Sequence, residues 1–155
     1  KISVVSPLPG EEDEIIFRCH TLPDNMDRYI YGLRYCELKF AGYDEHGISM
    51  ITASDIYYFE SVDNRTFLYL EHEVLDCDLK LYELEEKLHQ VEELSEILPF
   101  MRISKSMIIN LDKIRHISPM FGGRFEALLE NDEKVIISRQ YVPILKDKLG
   151  VNGNI

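Results

Sequence analysis

A basic excess is missing from this chain: 17 Lys and Arg stand against 28 Asp and Glu, a formal net charge of -11 over 155 residues. Binding nucleic acid depends on neutralising phosphates, so the total charge alone argues against such a partner. Cysteine is scarce too. Cys19, Cys36 and Cys77 are odd in number and without paired spacing, which suggests neither a disulfide framework nor a zinc ribbon, and they read as reduced packing residues. No apolar run approaches the ~20 residues of a membrane span, and no short charged-then-apolar leader opens the sequence. The expectation is a soluble, cytoplasmic protein. Catalytic signatures are also wanting: His20, His46, His72, His89 and His116 are scattered without metal-ligand spacing, and there is no P-loop, dinucleotide fingerprint or nucleophile elbow. Neither an enzyme nor a cofactor is expected, and Cys19-His20 or His72 with Asp76, Cys77 and Asp78 make weak ligand patterns.

What is present is an uneven distribution of charge. Residues 1 to 100 carry 8 Lys and Arg against 22 Asp and Glu, whereas residues 101 to 155 carry 9 against 6. The basic share is concentrated in the last third, which permits a nucleic-acid contact there. With 45% of residues apolar, the chain can bury a core of one domain, or one domain with an extension.

The pattern of elements is mainly β with a few short helices. Ile2-Val5 and Ile15-Phe17 read as strands separated by Pro7-Gly10 and the acid run Glu11 to Glu14. Residues 23 to 36 read as a helix with Met26, Ile30 and Leu33 on one face, expected to bury against its own domain. Residues 37 to 43 and 47 to 51 pair around the turn Asp44-Gly47. Ile56-Glu60 and Thr66-Glu71 pair across Val62-Arg65. Leu81, Leu84, Leu88 and Val91 recur at helical spacing with glutamates opposite, and Pro99 ends any helix before it. Strands follow at Ser106-Asn110, Ile114-Ser118, Phe125-Leu129 and Val135-Ser138, then a helix from Tyr141 to Leu149 with Gly150 as its stop. Residues 1 to 45 form a small α+β extension, 46 to 150 the main domain and 151 to 155 a tail.

Two segments carry chemistry. Arg102-Ile103-Ser104-Lys105-Ser106, after the apolar Pro99-Phe100-Met101, offers a lysine flanked by two hydroxyls that can hydrogen-bond phosphate. Arg139, in Ser138-Arg139-Gln140-Tyr141, projects from a strand-helix junction, and its fork suits guanine O6 and N7. Its alternative is an ion pair with Glu130 or Asp132. Arg102, between two apolar residues, is either a DNA contact or a structural arginine at a buried edge, and Asn110 is read as satisfying backbone groups after its strand.

These blocks, together with Asp55-Ser61 and Leu79-Leu88, occur in the order found in the LytTR family of bacterial DNA-binding domains, which the chain resembles from about Ile48 to Leu149. The resemblance implies an elongated β-fold whose loops enter successive grooves of double-stranded DNA, with two protomers on a repeated site. It implies Arg139 in one major groove, Lys105 in the groove between, and Asn64, Arg65 or Thr66 in the other major groove. Ser104, Ser106, Arg102 and Gln140 complete the implied DNA-binding set. The function implied is sequence-specific transcriptional regulation. An extension of about 45 residues is too short for the receiver domain often placed before this one, so phosphorelay control is not expected. A small membrane protein encoded alongside is the implied antagonist. The reading from another class is an acidic protein-interaction module with little DNA affinity, motivated by the excess of acid in residues 1 to 100.

Overall fold

The computed structural model describes residues 5-21, 24, 26-89 and 99-151. Ten strands and three α-helices are assigned among them, in the order α1 (Met26–Glu37), β1 (Lys39–Asp44), β2 (Gly47–Thr52), β3 (Tyr58–Val62), β4 (Arg65–Tyr69), β5 (Val74–Cys77), α2 (Leu81–His89), β6 (Phe100–Ser104), β7 (Met107–Asn110), β8 (Ile114–Pro119), β9 (Phe125–Leu129), β10 (Lys134–Ile137) and α3 (Val142–Leu149). The chain is mainly β with short helices, as the sequence pattern leads one to expect.

Alternation along β3, β4, β6 and β7 puts apolar residues on both faces, so these strands are covered on both sides. They belong to a seven-stranded sheet, order β2-β1-β5-β4-β3-β7-β6. On one face Phe40, Phe59, Leu68, Phe100 and Ile108 pack with Leu81, Leu84 and Leu88 of α2. On the other, Tyr58, Met101, Ile103 and Ile109 pack against Phe125, Ala127, Leu129, Val135 and Ile137, and against Val142 and Leu145 of α3. Those residues come from a second sheet of three strands, order β10-β9-β8, and from the helix that follows it. The smaller sheet covers only the β3-β7-β6 half of that face, and Ile48, Met50 and Val74 on the other half are exposed.

Antiparallel register sets where the turns lie. Val62 faces Arg65, Glu60 faces Met107, and Thr66 faces Cys77, while Tyr43 faces Asp76. The β3–β4 turn, the β6–β7 turn, the end of β5 and the β1–β2 turn therefore share one end of the large sheet. Asp63 and Asn64 take φ of 49° and 65°, the left-handed pair that a two-residue hairpin turn needs.

Three expectations need correction. Ile15-Phe17 is exposed and forms no strand; Ile2-Val4 lie outside the described residues. α1 forms, but Ile30 and Leu33 are exposed; Tyr35 and Leu38 make the contact with the core, because the helix meets the domain where its last turn feeds into β1. The start expected at Pro23 and the helix continuation to Val91 fall outside the described residues. β5 and β6 were not anticipated, and both are integral to the large sheet. Gly150 ends α3 with φ of 67°, as expected of a left-handed stop.

Candidate nucleic-acid interface

A β-bulge builds the site. Register along the β6–β7 pair runs Arg102 to Ile108, then Ser104 to Met107, which leaves Ile103 as the extra residue. A bulge bends the strand and re-aims it. Ile103 is fully buried among the residues of the smaller sheet, and its carbonyl accepts from Ser138 N–H at 2.8 Å. That bond fastens the end of β10 beside the β6–β7 turn. Ser104, Lys105 and Ser106 then share one open cleft of about 640 Å³ with Ser138, Arg139 and Gln140. Segments more than thirty positions apart in sequence thus meet at one surface, as five of the nine residues singled out from the sequence.

Local bonds fix the two walls. Ser104 Oγ accepts from Ser106 N–H at 3.2 Å and lies 3.4 Å from Ser106 Oγ, while Ser106 carbonyl accepts from Ser61 N–H at 2.8 Å. Arg102 donates from Nε to Glu85 Oε1 at 2.7 Å and from Nη1 to Lys105 carbonyl at 2.8 Å. It lies at the α2 side of the sheet and anchors the turn rather than facing the cleft. Across the cleft, Arg139 opens a short 3-10 turn through Tyr141, and the aliphatic part of its side chain lies over Gly123. A Cβ at Gly123 would come within 3.2 Å of Arg139 Cδ, so a side chain there would push the arginine stem aside by a few tenths of an ångström.

Electrostatics favour an anion in the cleft. Among the described residues no carboxylate lies within ion-pairing distance of Lys105 or Arg139. The alternative partner Asp132 is taken by Arg115, with Nη2 2.5 Å from Oδ1. Farther along the same end, acids are engaged locally: Asp44 Oδ1 accepts from His46 N–H and Gly47 N–H, and Asp78 accepts from Tyr43 hydroxyl at 3.1 Å. That bond is the main reason the Tyr43 hydroxyl is harder to ionise than an ordinary tyrosine.

The β3–β4 turn places its candidates differently. Asn64 carbonyl accepts from Lys80 Nζ at 2.5 Å, which ties the turn to the residue before α2. Arg65 pairs with Asp76 at 2.5 Å and lies over the Phe67 ring, 5.1 Å from its centroid. Both its side chain and that of Asp76 are solvent-accessible, so the pair is cheap to open. Thr66 is corrected: it is 3% exposed on the core face, with a hydroxyl that has no partner among the described residues, and it cannot reach a groove from there. Strand alternation predicts this, since Thr66 and Leu68 share a face. Asn110 does what its position suggests, donating Nδ2–H to Ile56 carbonyl at 2.8 Å and accepting from Asp112 N–H at 3.0 Å. Sequence reasoning missed Ser138 as a cleft residue and the approach of Gly123 to Arg139.

Residues 46–150 match the model of the LytTr DNA-binding domain. The chain belongs to the LytTR family. It is 28% identical over 108 residues to the sensory transduction protein LytT of Enterococcus faecalis, covering 70% of this chain and 42% of that protein. The LytT protein of Bacillus cereus is 31% identical over 107 residues, with 69% and 41% covered. The chain thus spans about two-fifths of the length of these LytT relatives. An uncharacterized HTH-type transcriptional regulator of Staphylococcus aureus is 28% identical over 110 residues, 71% of this chain and 69% of its own. A solved LytTr DNA-binding domain from Bacillus cereus shares the fold, with a TM-score of 0.63 at 24% identity, covering 72% of this chain and 96% of that one. Among the described residues, no two α-helices of this LytTR chain are joined by a short turn, and no helix is long and apolar enough to cross a membrane.

Proposed function

We propose that this LytTR protein regulates transcription by reading double-stranded DNA with the turns at one end of its large sheet. The observation that carries the reading is the cleft where Lys105 and Arg139, two cations without carboxylate partners among the described residues, stand among the hydroxyls of Ser104, Ser106 and Ser138. Lys105 and the serines hold phosphate oxygens, which set position, and the Arg139 fork reads guanine, which sets sequence. Gln140, exposed beside Arg139, adds a hydrogen-bonding amide. The β3–β4 turn supplies the second contact through Arg65, released from Asp76, with Asn64 shaping the turn.

Spacing supports contacts in neighbouring grooves. From the β3–β4 turn to the segment beyond β6 is three to four strand spacings, roughly 15–20 Å. Half a turn of DNA is about 17 Å, from a repeat of ~34–36 Å. The acids Asp44 and Asp78 then bound the footprint on the β1–β5 side, where phosphates would be repelled. α2 is unsuited to a groove, because Glu83, Glu85 and Glu86 would meet phosphates.

Two copies on a repeated site, and antagonism by a co-encoded membrane protein, rest on the family resemblance; the exposed run Glu11 to Glu14 is the surface such a partner would meet. The test of the reading is selection of duplexes from a random library, followed by binding isotherms across a salt series. One enriched, repeated motif and affinity that falls linearly on a log–log salt plot are expected. Failure to enrich any sequence would leave the acidic interaction module as the better account.

A further inference from the structure

Phe121 is 94% exposed, the most exposed large hydrophobic side chain among the described residues. It stands on the β8–β9 turn, which one backbone hydrogen bond closes. Met120 N–H donates to Arg124 carbonyl at 2.8 Å, and Gly122 and Gly123 take φ of 81° and 76°. Gly123 lies under the stem of Arg139, so the turn and the cleft arginine pack as one unit. Arg124, exposed on the far side of the two glycines, has its Nε 3.4 Å from Phe121 carbonyl. An uncovered ring therefore stands on a turn that touches two arginines, Arg124 at the Phe121 carbonyl and Arg139 at Gly123, beside the cleft.

We infer that Phe121 is a DNA-contacting residue that packs on the 5-methyl group of a thymine next to the guanine read by Arg139. The inference rests on the DNA-binding reading above and extends it to a residue that charge and hydrogen bonding do not single out. The chemistry follows from the groove: amino groups, carbonyls and ring nitrogens line the major groove, and the one apolar group it presents is the thymine methyl. A ring that shares its turn with the Arg139 stem enters the same groove as that guanidinium. Arg124 anchors the turn to a phosphate while Arg139 reads the guanine and the ring meets the neighbouring base edge. Specificity then extends by one A·T pair beyond what Arg139 alone can read.

The chain contains no tryptophan, so Phe121→Trp installs a sole indole at the proposed contact. The probe is the duplex enriched from a random library by the unaltered protein. Emission of F121W is expected to shift when this duplex saturates it. F121A should fold normally, since the ring touches no core, and should bind at least about tenfold more weakly, the scale of one aromatic side chain left out of apolar contact. Replacing thymines by uracil one at a time should weaken the unaltered protein about fourfold at one position beside the guanine, the cost of one methyl group. F121A should lose nothing further at that position, because the two changes remove the same contact.

Two results overturn the inference while leaving the DNA-binding reading intact: F121W emission that stays still while anisotropy of labelled DNA reports binding, or a protein insensitive to uracil at every position. Unchanged binding by Arg139→Ala and Lys105→Ala would instead remove the cleft from the interface, and the inference with it.

Discussion

Arg102 and Glu85 form a two-armed ion pair, Nε to Oε1 at 2.7 Å and Nη2 to Oε2 at 3.3 Å, and the remaining Nη1 of the same guanidinium holds the carbonyl of Lys105 at 2.8 Å. One side chain thus links α2 to the turn that carries a cleft cation. With its side chain 21% exposed and that of Glu85 34%, the pair is partly shielded from water and worth more than a surface contact. Arg102→Ala should lower stability by about 1–3 kcal/mol in denaturant titration, from lost hydrogen bonds to charged groups. Its effect on DNA binding separates two roles. If Arg102 acts by holding the turn, Glu85→Gln also weakens binding, because the turn loosens. If it acts as a free positive charge, Glu85→Gln strengthens binding by removing a competing carboxylate. The first outcome is expected.

Arg139 and Lys105 should fail in different ways. Arg139→Ala removes a fork suited to guanine, so discrimination between the selected duplex and random DNA should fall by about 1–3 kcal/mol. Lys105→Ala removes a point charge, so affinity for both duplexes should fall together and the salt slope should shrink by about one. Isotherms at several salt concentrations on two duplexes check both. An equal loss on both duplexes in each variant would mean that neither side chain reads bases.

Thr66 gives a prediction with the opposite sign. Its hydroxyl is buried without a partner among the described residues, so it carries the desolvation cost of a polar group and no compensating bond. Valine has nearly the same shape and no hydroxyl. Thr66→Val should therefore raise stability by about 1 kcal/mol and leave DNA affinity unchanged. A clear loss of affinity in this variant would show that the β3–β4 hairpin opens to bring position 66 to the DNA.

Much of this was legible before the structure because short-range patterns carry it. Apolar runs set off by turn residues gave Phe125–Leu129 and Val135–Ser138, the latter one residue past the observed end at Ile137; helical spacing gave Leu81, Leu84 and Leu88; Gly150 marked the end of α3. The misses share a different cause. β5 is four residues long and β6 precedes a cluster of polar side chains, so neither has enough length for periodicity to speak, and both exist because neighbouring strands offer a ladder. Ile15-Phe17 has strand composition but no partner strand among the described residues. Within the site, Arg139 and Lys105 were visible as residue types, whereas the bulge at Ile103 that brings their segments together is a property of register. Arg102 could be ranked only once Glu85, seventeen positions away, was seen to face it.

Alkaline pH should act on the stacked pair in the second core. The rings of Tyr58 and Tyr69 lie 4.1 Å apart at 17°, and Tyr58 hydroxyl donates to Glu133 Oε2 at 3.1 Å. Burial, reinforced by the Glu133 carboxylate, pushes Tyr58 well above the ordinary tyrosine range, and burial with the Glu60 carboxylate pushes Tyr69 up to about 12. In the unfolded chain both titrate near ~10. Above that pH the unfolded state has released protons that the folded state still holds, so fewer protons are bound on unfolding and stability falls as pH rises. Below it both states are protonated, and the pair contributes no pH dependence. Denaturant midpoints should therefore be flat with respect to these groups up to about pH 9.5 and decline from there through about pH 12. Tyr58→Phe and Tyr69→Phe should each make the decline shallower, since a phenyl ring has no proton to lose. A decline of equal steepness in both variants would assign the alkaline instability to other groups.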